Sequence, residues 1–208
     1  MALSRLKADS LNLADNFTFT GNVTGEAVGA LNLLQTQTAS SSASISFTTG
    51  IDSTYDEYWF VFNNIHPATD AVRLTFQGST DGGSNYNTTI TSTCFRAQHD
   101  EIDGDPNLLY NPAADQAQGT AFQKLMDERI GNGSDESCSG ILKLYNPSST
   151  TYVKHFSSRN TIYQRDNYIN DNFVAGYFNT TSAINAVSFK MDSGNIDDGT
   201  IQMFGVTQ

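Results

Sequence analysis

The chain has 208 residues and carries 22 acidic against 11 basic side chains, a formal net charge of -11. That balance leaves no basic stripe for nucleic acid and disfavours anionic membrane surfaces, and no run approaches the roughly eighteen apolar residues of a membrane-inserted helix. Aromatic residues reach 11% while charged residues total only 16%, a composition with too few Glu, Lys and Arg for a helical body and enough apolar material for one β-rich core.

Residues 1–30 differ from the rest. After MALSRLKADS, which has no apolar leader, Leu11 and Leu13 alternate with polar neighbours, as do Phe17 and Phe19, and Val23 follows between the breaks at Gly21, Gly25 and Gly29. Extended pieces this short do not fold alone. They predict an attachment or oligomerisation arm that orders on a neighbour, a disordered tail being the alternative that their apolar content argues against.

Residues 31–208 form the body. LNLLQTQTA predicts an alternating strand, and Ile45 and Phe47 point one way in the next. IDSTYDE is a turn rich in Asp and Ser, and it leads into YWFVFNNI, Tyr58–Ile65, whose run of aromatic and β-branched residues makes it the central strand. Val72, Leu74 and Phe76 are expected to face inward and Arg73, Thr75 and Gln77 outward. Asp81-Gly82-Gly83 marks a turn, and Tyr86–Phe95 is a polar strand at an edge or with one solvated face. Residues 97–118, broken by Pro106 and Pro112, are expected to be one long irregular loop, the preferred place for a surface contact through Asp103, Asp105 and Tyr110. Phe122, Met126 and Ile130 fit one face of a strand, although a helical stripe is the competing pattern. Four further strands follow, in CSGILKLY, in the segment after Pro147, in NFVAGYFN and in INAVSFKMD, where Val187, Phe189 and Met191 share a face. GTIQMFGV closes the chain, with Ile201 and Met203 set against Phe204 and Val206.

About nine to eleven short strands with few helices predict an all-β antiparallel β-sandwich, jelly-roll-like in its connections, with an up-and-down barrel as the runner-up. Two cysteines, Cys94 and Cys138, are too few for a disulfide framework and are expected to be partly buried free thiols.

The pieces YDEYWFVFNNIHPATD, VRLTFQGSTDGGSNYN, SGILKLYNPSSTTYVKHF and SGNIDDGTIQMFGV together resemble virion proteins of tailed bacteriophages, namely small fibre, adhesin and capsid-decoration proteins, over residues 40–208. SRLKADSLNLADNFTFTG looks like the attachment segment that opens such proteins. The resemblance implies a jelly-roll-like body in a symmetric homo-oligomer, most often a trimer, located in the virion. It implies other virion proteins as partners, a host cell-surface glycan as a further one, and no catalytic motif.

The chemistry-bearing residues agree with a non-enzymatic reading. His66, His99 and His155 lack metal-ligand spacing, and no nucleophile motif or partnered carboxylate pair stands out. No cofactor is expected. Asp100, Glu101, Asp103 and Asp105 are the best oxygen set for calcium but lack the closing acid of an EF-hand, so the expected reading is a solvated acidic loop. Asp192, Asn195, Asp197 and Asp198 carry a weaker signal of the same kind. Tyr55, Tyr58 and Tyr110 are candidates for stacking on a ligand, whereas Trp59 is expected in the core.

Overall fold

A computed structural model describes residues 30–207. The arm residues Leu11, Leu13, Phe17, Phe19 and Val23 lie outside the described residues.

Among the described residues twelve strands follow one another: β1 Leu31–Thr38, β2 Ile45–Phe47, β3 Glu57–Pro67, β4 Leu74–Ser79, β5 Ile90–Asp100, β6 Asn107–Tyr110, β7 Gln123–Lys124, β8 Cys138–Tyr145, β9 Lys154–Gln164, β10 Tyr168–Phe178, β11 Ala186–Met191 and β12 Ile196–Val206. They build two packed antiparallel sheets. The larger has the order β1-β12-β3-β8-β9-β10-β5-β6 and the smaller β2-β11-β4-β7. The architecture is an all-β sandwich, as expected.

The ladders are nested. β1 pairs with β12, β2 with β11, β3 with β8 and β4 with β7, so the first and last described strands pair with each other and each inner pair lies within the one before. Two hairpins interrupt this series. β9 and β10 extend the large sheet beyond β8, and β5 with β6 extends it again from β10.

The core follows from period-two alternation in β3. Tyr58, Phe60, Phe62 and Ile65 are fully buried between the sheets. Phe60 meets Phe47 of β2 and Phe189 of β11 at ring-centroid distances of 5.3 and 5.5 Å, and Phe76 of β4 meets Phe156 of β9 at 4.9 Å edge-to-face. Val187, Phe189 and Met191 are buried together, as are Ile201 and Met203.

Five expectations are corrected. Trp59 alternates with Tyr58 and therefore leaves the core. It lies half-buried on the outer face, its Nε1 donating to Glu57 at 2.5 Å and the Lys143 ammonium 3.9 Å over its ring. Tyr58, read as a ligand candidate, is the buried one, and its hydroxyl donates to the Asp52 carbonyl at 3.0 Å.

Residues 97–118 are not one loop. Residues 97–100 complete β5, residues 107–110 form β6 against it, and Pro112–Ala114 make a 3-10 turn capped by Asn111.

Residues 119–131 contribute only the two-residue strand β7. The large sheet has eight strands and the small sheet four, so the small sheet leaves part of the inner face uncovered, and this segment lies over it. Its backbone pairs with the rest of the chain at scattered points, Gly119 with Ile90, Leu125 with Leu74 and Ile130 with Val72, and side chains satisfy it between them. Asn160 of β9 donates to the Leu125 carbonyl at 2.5 Å, Asp127 N–H donates to Asn172 of β10 at 3.0 Å, and Arg73 Nε donates to the Asp127 carbonyl at 2.7 Å.

Thr75 and Gln77 do not face solvent. They are 2% and 0% exposed, and the Gln77 amide donates to the carbonyls of Thr88, Thr120 and Ala121. The same segment roofs this second face of β4.

Candidate interaction face

The side chains left over by the core of the large sheet form its outer face. Cross-strand register aligns them in rows. One row runs from Val61 of β3 through Ile141 and Arg159 to Phe173, Phe95 and Tyr110 of β6. Within it, Phe95 and Phe173 stack in parallel at 4.8 Å with 4° between their planes, and the Arg159 guanidinium lies 5.1 Å from the Phe173 centroid. Directly opposed side chains on neighbouring strands sit at stacking distance, so this register turns single aromatic positions into a ladder. The neighbouring row joins Leu33, Phe204, Trp59, Lys143 and Ser157. Between the two rows lies a shallow depression lined by Phe95, Ile141, Lys143, Arg159 and Phe173.

Charges on this face are held in place. Asp171 accepts from Arg159 Nη2 at 2.7 Å and from Nε at 3.1 Å, and this carboxylate raises the guanidinium pKa further. Lys143 forms no ion pair among the described residues.

Exposed apolar side chains collect at the two edges of the sheet. On β6, Leu108 is 71%, Leu109 41% and Tyr110 60% exposed, with Phe95 beside them at 40%. On β1, Leu31 is 43% and Leu33 54% exposed. Sequence reasoning named Tyr110 but missed both leucines of β6. The signal was present as an apolar NLLY tetrapeptide inside an otherwise polar stretch between Pro106 and Pro112. The Tyr110 hydroxyl donates to Asp115, which raises its pKa above the ordinary tyrosine value.

The acidic residues at 100–105 turn on themselves. Asp100 accepts from the N–H groups of Gly104 and Asp105, Asp105 accepts from Gln98 and Asn107, and Asp103 pairs with His99 at 3.0 Å. Asp103 has φ +57°, and this local hydrogen bonding is the device by which Asx residues hold such a turn. Among the described residues, no three Asp, Glu, His or Cys side chains converge as a metal ion would need. Asp197 accepts from the Ser41 hydroxyl at 2.7 Å and Asp198 from the Gly199 N–H, so these two also serve the chain's own turns. Nor do the histidines meet a nucleophile. His66 contacts the Glu136 carbonyl, His99 contacts Asp100 and Asp103, and His155 lies beside the Tyr177 ring. Tyr55, the remaining aromatic candidate, packs edge-to-face on Tyr58 at 5.8 Å.

No family model, no curated protein and no solved structure matches this chain.

Proposed function

We propose that this protein is a non-enzymatic structural component of a tailed-bacteriophage virion, anchored by residues 1–30, with a jelly-roll body that works by binding. The observation that carries the reading is the nested strand pairing. A long antiparallel hairpin, rolled so that its pairs alternate between two sheets, gives the jelly-roll arrangement used by capsid domains. In this reading β1-β12-β3-β8 and β2-β11-β4-β7 are its two four-stranded sheets. The hairpins β9–β10 and β5–β6 are then additions that widen one sheet.

Two further features support a binding role. The polar groups best placed for chemistry are spent on turns, and the surface carries apolar side chains at both edges of the large sheet. Hydrophobic burial would supply affinity for neighbouring virion proteins, and the arm would fix the body to the particle. Mass spectrometry and antibody labelling of banded particles test this reading. The expected outcome is the full chain at fixed positions on the particle, lost when residues 1–30 are deleted from an otherwise folded body. A chain found only in the unassembled fraction would sink the reading.

A second reading, a host-receptor or carbohydrate-binding adhesin module, is favoured by the depression on the outer face, where Lys143 and Arg159 flank the Phe95–Phe173 stack. A glycan array with the intact protein and with Lys143→Ala separates the two. Glycan binding that Lys143→Ala abolishes supports the adhesin, and an array without signal removes it.

A further inference from the structure

The four edges of the two sheets are not alike. The small sheet ends in β2 and β7, of three and two residues, which are too short to template another strand. The large sheet ends in β1, LNLLQTQT, and β6, NLLY. Neither carries a charged residue or a proline, two of the usual protections of an edge, and β1, which has a register shift between Leu33 and Gln35, offers the regular stretches Leu31–Leu33 and Gln35–Thr38 on either side of it. Each displays exposed leucines, Leu31 and Leu33 on β1 and Leu108 and Leu109 on β6. The outward backbone groups of both strands find no backbone partner among the described residues.

We infer that these two edges are the two halves of one interface: β6 of one copy adds to β1 of a second copy, head to tail, and continues the large sheet across the boundary. The occupant follows from charge and economy of contact. Two copies that each carry a charge of -11 repel, so they meet best where neither presents a charge, and both edge strands are such places. Self-pairing of β6 about a twofold axis would set its acidic hairpin, Glu101 to Asp105, against the Asp115 end of the partner strand. Self-pairing of β1 would leave Leu108, Leu109 and Tyr110 uncovered. Only the unlike pairing covers both apolar edges with one contact. An interface of this kind repeats, so it closes into a ring or runs on as a filament. This inference rests on the sheet edges and stands whether or not the chain belongs to a virion.

The test uses the full chain and two exposed substitutions, Leu33→Glu on β1 and Leu108→Glu on β6, with circular dichroism as the check that each is folded. Light scattering after size exclusion is expected to give an oligomer for the parent and a monomer for each variant. Mixed in equal amounts, the two variants are expected to give a species of twice the monomer mass, because the intact β6 of one meets the intact β1 of the other. Several outcomes would overturn the inference. A monomeric parent would mean that the chain's own segment covers β1. Variants that keep the parent's mass would place the interface elsewhere. Dissociation in only one variant would mean like edges pair. A mixture that stays monomeric would show that the edges are not complementary.

Discussion

Arg96 of β5 and Asp127 of the covering segment form an ion pair closed off from water, with side-chain exposures of 7% and 1%. Glu128 adds a second carboxylate to the same guanidinium at 3.0 Å, and Asn111 donates to Asp127 from the other side. The pair ties residues 119–131 to a part of the large sheet that the small sheet does not reach. Removing Arg96 leaves the Asp127 carboxylate buried without a cation, and removing Asp127 leaves Arg96 only the partly exposed Glu128, losses of up to about 3–5 kcal/mol that are larger for Arg96, whereas replacing both by apolar residues of similar size restores much of that. Arg96→Met and Asp127→Leu are therefore each expected to lower the denaturant midpoint sharply, and the double variant to recover a substantial part. Equal losses in the double and single variants would show that the segment is held by its other bonds.

Tyr58 and Trp59 are neighbours in sequence with opposite environments. Tyr58→Phe keeps the ring and removes the hydroxyl that donates to Asp52 and accepts from its N–H, both at 3.0 Å. The expected loss is about 1–2 kcal/mol. Tyr58→Ala empties a core site and should cost about 3–5 kcal/mol, well above Trp59→Ala on the outer face. Urea unfolding of the three variants reads the order directly, and a Trp59→Ala loss equal to that of Tyr58→Ala would contradict the assignment of faces.

Both cysteines are buried and free. Burial pushes the Cys94 thiol up to about 11 and holds Cys138 above its ordinary value as well. The thiolate is the reactive form, so neither should react with a maleimide at neutral pH while the protein is folded. Mass spectrometry should find no label in native buffer and labels on Cys94 and Cys138 after denaturation. Rapid labelling of Cys94 in native buffer would mean that β5 opens readily.

Asp81 holds the turn after β4. Its carboxylate accepts from the hydroxyl of Ser79 and from the amide and the backbone N–H of Asn85, which lowers its pKa from 3.8 to about 2. Asp52 is lowered too, chiefly by hydrogen bonds from Thr54. A folded pKa below the unfolded one adds stability that is fully present above the unfolded value and fades as pH falls through the folded value. Asp81→Ala should therefore destabilise the protein at pH 6, and its difference from the parent should shrink between about pH 4 and pH 2. Thermal unfolding across that range measures it, and a difference that stays constant down to pH 2 would rule out the carboxylate as its source.

Sequence alone determined that this chain makes strands, where most of them lie, and which residues of β11 and β12 face the core. Period-two alternation is a local property, and Val187, Phe189 and Met191 display it without reference to a neighbour, whereas in β3 an unbroken aromatic run hid which of Tyr58 and Trp59 faces inward. Tertiary structure alone decided the rest. Gln77 and Thr75 alternate like surface residues yet are buried, because a distant segment covers them. Leu125, Met126 and Ile130 are core residues in a stretch with little regular ladder, because isolated backbone bonds to Val72 and Leu74 and the side chains of Asn160, Asn172 and Arg73 together satisfy its backbone. The apolar NLLY run was legible in the sequence, but its place at a free edge, like that of β1, was not, for the same reason. Whether a leucine ends up inside or at a free edge depends on which strands lie beside it, and strand order is set by contacts between residues far apart in the chain.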